Sequence, residues 1–178
     1  MANYSTRSIA AQILADVITQ QKSLTDLLKN NIPQKISTED RGFIQELCFG
    51  VLRWYWQLES IANSLIQKPL KPKDNDIYAL ILLGLYQLIH LQTAEHAAIY
   101  ETVQATRILN KNWATSFLNG VLRNFQREKS NFLDQTQKAL SSLYSHPKWL
   151  IEAIQKAWPN NWQEILTANN QRPPMTLR

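Results

Sequence analysis

Basic side chains are the residues in this sequence whose spacing points most clearly to chemistry. Between Ala105 and Lys129, five lysine and arginine residues accompany a single carboxylate, so this stretch carries +4 of the chain's net +5. A second group, Lys68, Lys71 and Lys73, lies in a segment rich in proline. Clustered cations are what contacts with phosphate groups require, and such binding weakens with added salt. The alternative is a charged face that is merely solvated.

The potential nucleophiles and metal ligands do not form a recognisable pattern. His90, His96, His146 and Cys48 are the soft ligands available, and no two of them are three or four residues apart. A zinc site needs several ligands that converge, so we predict none. Cys48 lies between apolar residues, which favours a buried, inert thiol. His96 at a helix start could serve in acid–base chemistry, but a structural hydrogen bond is the favoured interpretation. We therefore predict no catalytic and no metal-binding residue.

Glycine usage bears on cofactor binding. The chain of 178 residues has four glycines, at positions 42, 50, 84 and 120, all isolated from one another. Neither a G-x-G-x-x-G turn nor a phosphate-binding P-loop is present. A nucleotide or S-adenosylmethionine site of the usual glycine-rich kind is therefore not expected, and no cofactor is assigned to this chain.

The elements that must position these residues are helices throughout. Apolar residues recur at helical spacing, and no segment alternates long enough to indicate a strand. The predicted fold is all-α: a bundle of about six helices followed by a C-terminal helical extension, with the boundary near residues 130–131. The predicted helices cover residues 5–20, 24–32, 37–65 with a break near 50–56, 74–91, 95–109 and 113–129, and then 133–144, 147–158 and 160–166.

Location is predicted from hydropathy and cysteine content. The most apolar run, residues 77–91, is shorter than the 20 or so residues that cross a bilayer. The N-terminus is polar, and the unpaired Cys48 agrees with a reducing compartment. We expect a cytoplasmic protein.

A short repeat connects two of the helices. Gly-Val-Leu-Arg occurs at residues 50–53 and again at residues 120–123. Glycine within a helix lowers stability, so its recurrence suggests a close helix approach at both positions. Two similar helical halves and a chance match both remain open.

Five segments, in order along the chain, carry a family resemblance. They read DRGFIQELCFGVLR (residues 40–53), AEHAAIYETV (94–103), FLNGVLRNFQR (117–127), SHPKWL (145–150) and ANNQRPPMTLR (168–178). Together they resemble the bacterial small-subunit (16S) ribosomal RNA (cytosine-5)-methyltransferase B family, also called Sun or Fmu.

This resemblance implies both a fold and a role. The N-terminal part of such enzymes is similar to the antitermination factor NusB, an all-helical RNA-binding fold of two helical sub-bundles. In that family a linking subdomain follows, and then a Rossmann-type methyltransferase domain. The Rossmann-type domain binds S-adenosylmethionine and uses a cysteine to attack cytosine. No position here matches those catalytic residues, so this chain alone is not expected to methylate RNA. The implied domains are a NusB-like RNA-binding domain (1–130), a helical extension (131–170) and the start of a linker to an absent methyltransferase domain (171–178).

Three functional hypotheses follow from these observations. The first is an RNA-binding and positioning module of a ribosomal RNA methyltransferase, with ribosomal RNA and the missing catalytic domain as partners. The second is a stand-alone antitermination factor of the NusB type that binds RNA and a protein. The third is a purely structural module, in which Trp149, Trp158 and Trp162 dock on the missing domain; packing on the bundle is the favoured position for these rings. The candidate phosphate contacts are Arg7, Arg41, Arg53, Lys71, Arg107, Lys111, Arg123, Arg127 and Lys129, although Arg53 and Arg123 could instead form internal salt bridges.

Overall fold

Helices account for all the regular structure that the computed structural model describes, which is residues 5–171. A single 3₁₀ turn at Pro72–Asp74 precedes the fifth helix. The all-α prediction is confirmed for these residues. The helices are α1 (Thr6–Gln20), α2 (Leu24–Asn31), α3 (Thr38–Arg53), α4 (Tyr55–Leu65), α5 (Asn75–His90), α6 (Glu95–Ile108), α7 (Ala114–Arg127), α8 (Lys129–Thr136), α9 (Leu140–Tyr144), α10 (Lys148–Ala157) and α11 (Trp162–Asn169).

Helix α5 is the centre of the bundle. Its residues from Ile77 to Leu88 are almost all buried, and α1, α3, α4, α6 and α7 pack against it. The buried side chains of α1 to α7 form one continuous hydrophobic core. A helix at the centre of a bundle has no side that faces solvent, so it needs apolar residues on all of its faces, as α5 has.

The expected break in the third predicted helix occurs at Trp54. Helix α3 ends at Arg53 and α4 begins at Tyr55, while the Trp54 amide still donates to the Gly50 carbonyl. A Cβ atom at position 50 would collide with the ring of Tyr86, so this glycine permits a close approach between α3 and α5. The same expectation is wrong for Gly120, which is exposed and, among the residues that the structure describes, has no neighbour within 4 Å of where its Cβ would be. The two copies of the repeat therefore do not share a packing role.

The C-terminal extension differs from its prediction in its number of helices. The single helix expected over residues 133–144 is two helices, because the backbone is extended at Ala139 (φ −125°, ψ 133°). Helix α8 begins at Lys129 and so runs through the boundary proposed at residues 130–131. Both α8 and α9 pack against α4, and the Gln57 amide donates to the Ser145 hydroxyl. The first half of the extension is thus joined to the bundle.

The extension leaves large apolar rings in solvent. Trp149 is 68% exposed and Trp158 is 56% exposed, so the expectation that they pack on the bundle is wrong. Trp162 is half-buried with an edge contact to Tyr144. Helices α10 and α11 contact each other and α9 and make no substantial contact with α1 to α8. The two exposed rings therefore do not pack on the bundle. The arginine–proline segment from residue 172 onward lies outside the described residues.

Candidate nucleic-acid interface

One exposed face runs the length of α7. Residues 113, 116, 120, 123 and 127 are three or four positions apart, which places them on one side of the helix. Trp113 stands at the N-terminal end of this face and Arg127 at the other, over about 21 Å for 14 residues. Gly120 lies between them without a side chain. We call this surface, from Trp113 to Arg127, the α7 face.

The two arginines on the α7 face keep most of their charge uncompensated. Arg123 Nη1 donates to Gln126 Oε1 at 3.0 Å, and Arg127 Nη2 donates to Asn124 Oδ1 at 2.8 Å. These partners are neutral amides. The one carboxylate nearby is Glu128, 3.7 Å from Arg127 Nε, and both side chains are largely exposed. An exposed pair of this kind contributes little energy and is readily exchanged for a phosphate.

Lys111 is used inside the protein. Its Nζ lies 2.6 Å from Asp74 Oδ1 and 3.3 Å from Asp76 Oδ1, and it also donates to the Lys73 carbonyl. Burial alone lowers the pKa of Lys111, but the two carboxylates outweigh it and the pKa is raised. This lysine fastens the loop between α6 and α7 to the turn before α5.

Lys129 is also used inside the protein. Its Nζ donates to the Leu88 carbonyl at 2.6 Å and lies 3.3 Å from Glu95 Oε1. Hydrogen bonds from Gln126 and then Lys129 lower the pKa of Glu95. The basic stretch found in the sequence is therefore divided: Lys111 and Lys129 hold helices together, while Arg107, Arg123 and Arg127 face solvent.

A groove adjoins the N-terminal end of the α7 face. It has a volume of about 450 Å³ and is lined by Trp113 and by residues 68–71, 73 and 74. Lys68, Lys71 and Lys73 are all exposed. Within residues 5–171 none of these three lysines forms an ion pair. We call this feature the tryptophan groove.

Arg7 belongs to the interior. It is 9% exposed, its Nε donates to Gln87 Oε1 at 3.0 Å, and its guanidinium lies over the ring of Phe43. Gln87 Nε2 in turn donates to Thr102 Oγ1. Burial lowers the pKa of Arg7, and the charge of Glu101 partly offsets this. Sequence patterns could not reveal this network, because its members are far apart in the chain, with 80 residues between Arg7 and Gln87.

The remaining candidates are dispersed over the surface. Arg41 Nη2 donates to the Pro33 carbonyl at 3.3 Å and is half-buried. Arg53 lines a separate cavity with Trp54, Tyr86 and other residues. Lys71 lies in the tryptophan groove. Of the nine predicted contacts, the structure places Arg107, Lys111, Arg123, Arg127 and Lys129 on or beside α6 and α7, Lys71 in the segment before α5, Arg7 in the interior against α5, and Arg41 and Arg53 on α3.

Two of the potential reactive groups, Cys48 and His90, lie in environments that suppress their chemistry. Burial raises the pKa of Cys48 to about 12, so its reactive thiolate is scarce near neutral pH. Burial lowers the pKa of His90 to about 4; its ring stacks on Trp54 at 4.1 Å and bonds with Gln57. In the described part of the chain, no group of three or more histidine, cysteine or acidic side chains could hold a metal ion.

The glycines do not fit S-adenosylmethionine binding through a glycine-rich loop. All four lie inside helices: Gly42 and Gly50 in α3, Gly84 in α5 and Gly120 in α7. A loop that cradles a cofactor must expose successive backbone amides, which a helix interior uses for its own hydrogen bonds. We therefore assign no step to that cofactor on this chain.

Comparison with family models identifies the bundle. Residues 4–127 match the model described as the NusB family, which is most of the chain. The chain belongs to the NusB family. Residues 146–178 of this NusB-family chain match a second model, described as a ferredoxin-like domain of RsmF/B-like methyltransferases. No helix within residues 5–171 is long and apolar enough to cross a membrane.

Curated relatives extend the comparison. The chain is 45% identical to the probable ribosomal RNA small subunit methyltransferase B of Coxiella burnetii, over 98% of this chain and 39% of that relative. It is also 45% identical to the ribosomal RNA small subunit methyltransferase B of Klebsiella pneumoniae strain 342, over 97% of this chain and 39% of the relative. An Escherichia coli protein with that name is 43% identical. This NusB-family chain thus spans about two fifths of the length of these relatives.

Proposed function

We propose that this chain is the RNA-binding and positioning module of a 16S ribosomal RNA cytosine-5 methyltransferase. The observation that carries the proposal is the α7 face, where Arg123 bonds to a neutral amide and Arg127 to a neutral amide and the exposed Glu128, beside the bare backbone of Gly120. A glycine on a helix surface lets an RNA backbone approach more closely than any other residue would. The names of the relatives support ribosomal RNA as the ligand.

The proposal divides the predicted contacts by exposure. Arg107, Arg123, Arg127 and Lys71 are exposed, and we assign phosphate contacts to them. Lys111 and Lys129 hold this surface in place through Asp74 and Glu95. Each phosphate neutralised releases counterions, so binding by such a surface falls steeply as salt rises.

Charge reversal on the α7 face tests the proposal. The variant R123E/R127E should bind 16S ribosomal RNA about 10- to 100-fold more weakly at low salt, with a shallower salt dependence, since about two phosphate contacts are removed. Binding is measured by titrating labelled RNA at two salt concentrations. The control K35E/K156E makes the same change of charge at exposed positions away from α7 and should bind nearly as well as the wild type. Equal losses in both variants would count against the α7 face.

The stand-alone antitermination factor is the second candidate. The bundle fits either role, but the match over residues 146–178 and the relatives' names favour the methyltransferase module. The length of the native reading frame decides between them. A frame that continues for another two hundred or more codons supports the module, whereas a frame that ends at codon 178 supports the factor.

Catalysis and the cofactor belong, in this proposal, to the polypeptide that follows in the longer relatives. S-adenosylmethionine would bind there, and methylation would take place in the cytoplasm, where ribosomal RNA is assembled. The chain alone should transfer no methyl group from S-adenosylmethionine to 16S RNA. Incorporation of a labelled methyl group by the purified chain, above that of a heat-inactivated sample, would contradict this.

The same polypeptide is our proposed partner for the extension. Residues 146–178 match a ferredoxin-like domain, yet only helices α10 and α11 of that stretch are described. Trp149 and Trp158 stand exposed on or next to α10. A remaining part of the domain would remove these rings from water. Acrylamide should therefore quench tryptophan fluorescence less after the chain is mixed with the C-terminal part of the Coxiella burnetii relative. Unchanged quenching would contradict this docking.

A further inference from the structure

Trp113 leaves a large flat ring in water at one end of the α7 face. The side chain is 54% exposed, although burial would stabilise it. The ring of Phe117, one turn further along α7, lies beside it in a roughly parallel orientation, with ring centres 6.3 Å apart and planes inclined by 27°. The indole thus has an aromatic neighbour on its own helix while the ring as a whole remains more than half open.

The tryptophan groove places positive charge beside this ring. Lys68, Lys71 and Lys73 line it, together with Pro69 and Leu70. The one acid in the lining, Asp74, is 6% exposed, and its Oδ1 is already bound to Lys111. Among residues 5–171, the groove therefore presents three ammonium groups without a competing free carboxylate.

The two sides of the groove are fixed relative to each other. Lys111 Nζ donates to the Lys73 carbonyl on one side, and the Lys111 carbonyl accepts from the Ala114 amide on the other. The Asp74 amide donates to the Lys71 carbonyl at 2.8 Å. Because the segment is already ordered, a ligand would lose little free energy in ordering it.

We propose that Trp113 is a stacking platform for an unpaired RNA base, while Lys68, Lys71 and Lys73 hold the phosphates next to it. This inference rests on the proposed function and specifies the form of RNA bound. Bases in a duplex stack on one another, whereas bases of single strands and loops are free to stack on an aromatic side chain. The strand would continue along the α7 face past Gly120 to Arg123 and Arg127. An apolar protein segment suits the groove less well, since it would desolvate three ammonium groups without compensating them.

Two RNA probes and a set of tryptophan variants test the platform. The probes are a labelled single-stranded RNA of about 12 nucleotides, within the site size of such proteins, and a blunt-ended duplex of the same strand with its complement. The W113A variant should bind the single strand about 5- to 100-fold more weakly and the duplex as the wild type does. The W113F variant keeps an aromatic face and should retain most of the affinity. As a control for the loss of an exposed aromatic ring, the L140A variant changes an exposed apolar side chain on α9 and should bind both probes as the wild type does.

Salt dependence separates stacking from charge. The triple variant K68Q/K71Q/K73Q should flatten the plot of log affinity against log salt by about 2, since each single-strand phosphate contact contributes about 0.7. The W113A variant should leave that slope unchanged, because it removes no charge. Thermal melting followed by circular dichroism shows that each variant is folded.

The outcomes distinguish this inference from the proposed function. If W113A binds the single strand as tightly as the wild type while R123E/R127E binds weakly, the stacking platform is wrong and the proposed function stands. Equal losses of W113A on both probes would also overturn the preference for unpaired bases. If the wild type binds neither probe, both proposals fail.

Discussion

Single ionisable residues in this protein are governed by where the fold places them. His90 is held between aromatic rings, and burial lowers its pKa to about 4. Lys111 lies between two carboxylates, which hold its pKa above the ordinary value. Neither environment is visible in the neighbouring sequence. Both lead to predictions about stability, because a pKa that differs between the folded and unfolded states makes stability depend on pH.

His90 should make the protein less stable in mild acid. The unfolded chain takes up a proton near pH 6.5, while the folded protein resists doing so until about pH 4. Stability therefore falls as pH falls through this window, by about 2 kcal/mol between pH 6.5 and pH 5. Urea unfolding at several pH values measures it. The H90Q variant should show a flatter profile, and an unchanged profile would assign the effect to other groups.

Removing the charge of Lys111 should destabilise the fold. The K111M variant leaves Asp74 and Asp76 facing each other without a counter-charge, at an expected cost of about 1–3 kcal/mol. Because the folded-state pKa of Lys111 is raised, its contribution is complete below about pH 10 and is lost only above that. The double variant D74N/K111M should recover part of the loss in denaturant unfolding at neutral pH. If the double variant were no more stable than K111M, the unpaired carboxylates would not be the cause of the lost stability.

Helices make different use of the same sequence element. Gly-Val-Leu-Arg in α3 lies against α5, where Gly50 makes room for Tyr86. In α7 the same four residues begin at the exposed Gly120, and no described residue lies within 4 Å of where its Cβ would be. The break at Trp54 could be expected from the sequence, because an uninterrupted helix of that length is unusual in a small bundle. The packing of each glycine could not, since it depends on the helix opposite.

The two glycines form a matched pair of tests. The G50A variant should lose about 1–3 kcal/mol of stability, because the added methyl group displaces the Tyr86 ring from a packed position. The G120A variant should gain about 0.5–1 kcal/mol, because alanine favours helix and no neighbour obstructs its Cβ. Chemical denaturation of both variants checks the signs. A destabilised G120A would reveal a contact on the α7 face that the fold does not show.

The whole molecule is a bundle to which the first half of the extension is firmly attached. Phe132 of α8 packs on the buried Phe125 at 6.0 Å between ring centres, and α9 lies against α4. The NusB family match nevertheless ends at residue 127. The end of the family match therefore differs from the end of the packed bundle, which includes α8 and α9. The packing boundary, and not the family boundary, decides which fragment is stable.

Two truncations should separate these boundaries. A chain ending at Pro147 keeps α8 and α9 on the bundle and should melt within a few degrees of the full chain. A chain ending at Glu128 uncovers Phe125 and one side of α4, with an expected loss of about 2–4 kcal/mol. Thermal melting by circular dichroism compares the two. Equal melting temperatures would place the packing boundary at the family boundary instead.

The sequence by itself determined the helical class, the central helix, the break between two helices near Trp54 and the family resemblance. These depend on local periodicity and on residues in order, which the chain carries without folding. Only the tertiary structure decided which basic residues are available. Lys111 and Lys129 looked like Arg123 and Arg127 in the sequence, but the two lysines meet carboxylates from distant segments. The two arginines bond to neutral amides of their own helix, and Arg127 pairs weakly with the exposed Glu128 beside it. A charge is free or paired according to what lies across from it in space, and neighbours in the sequence do not specify that.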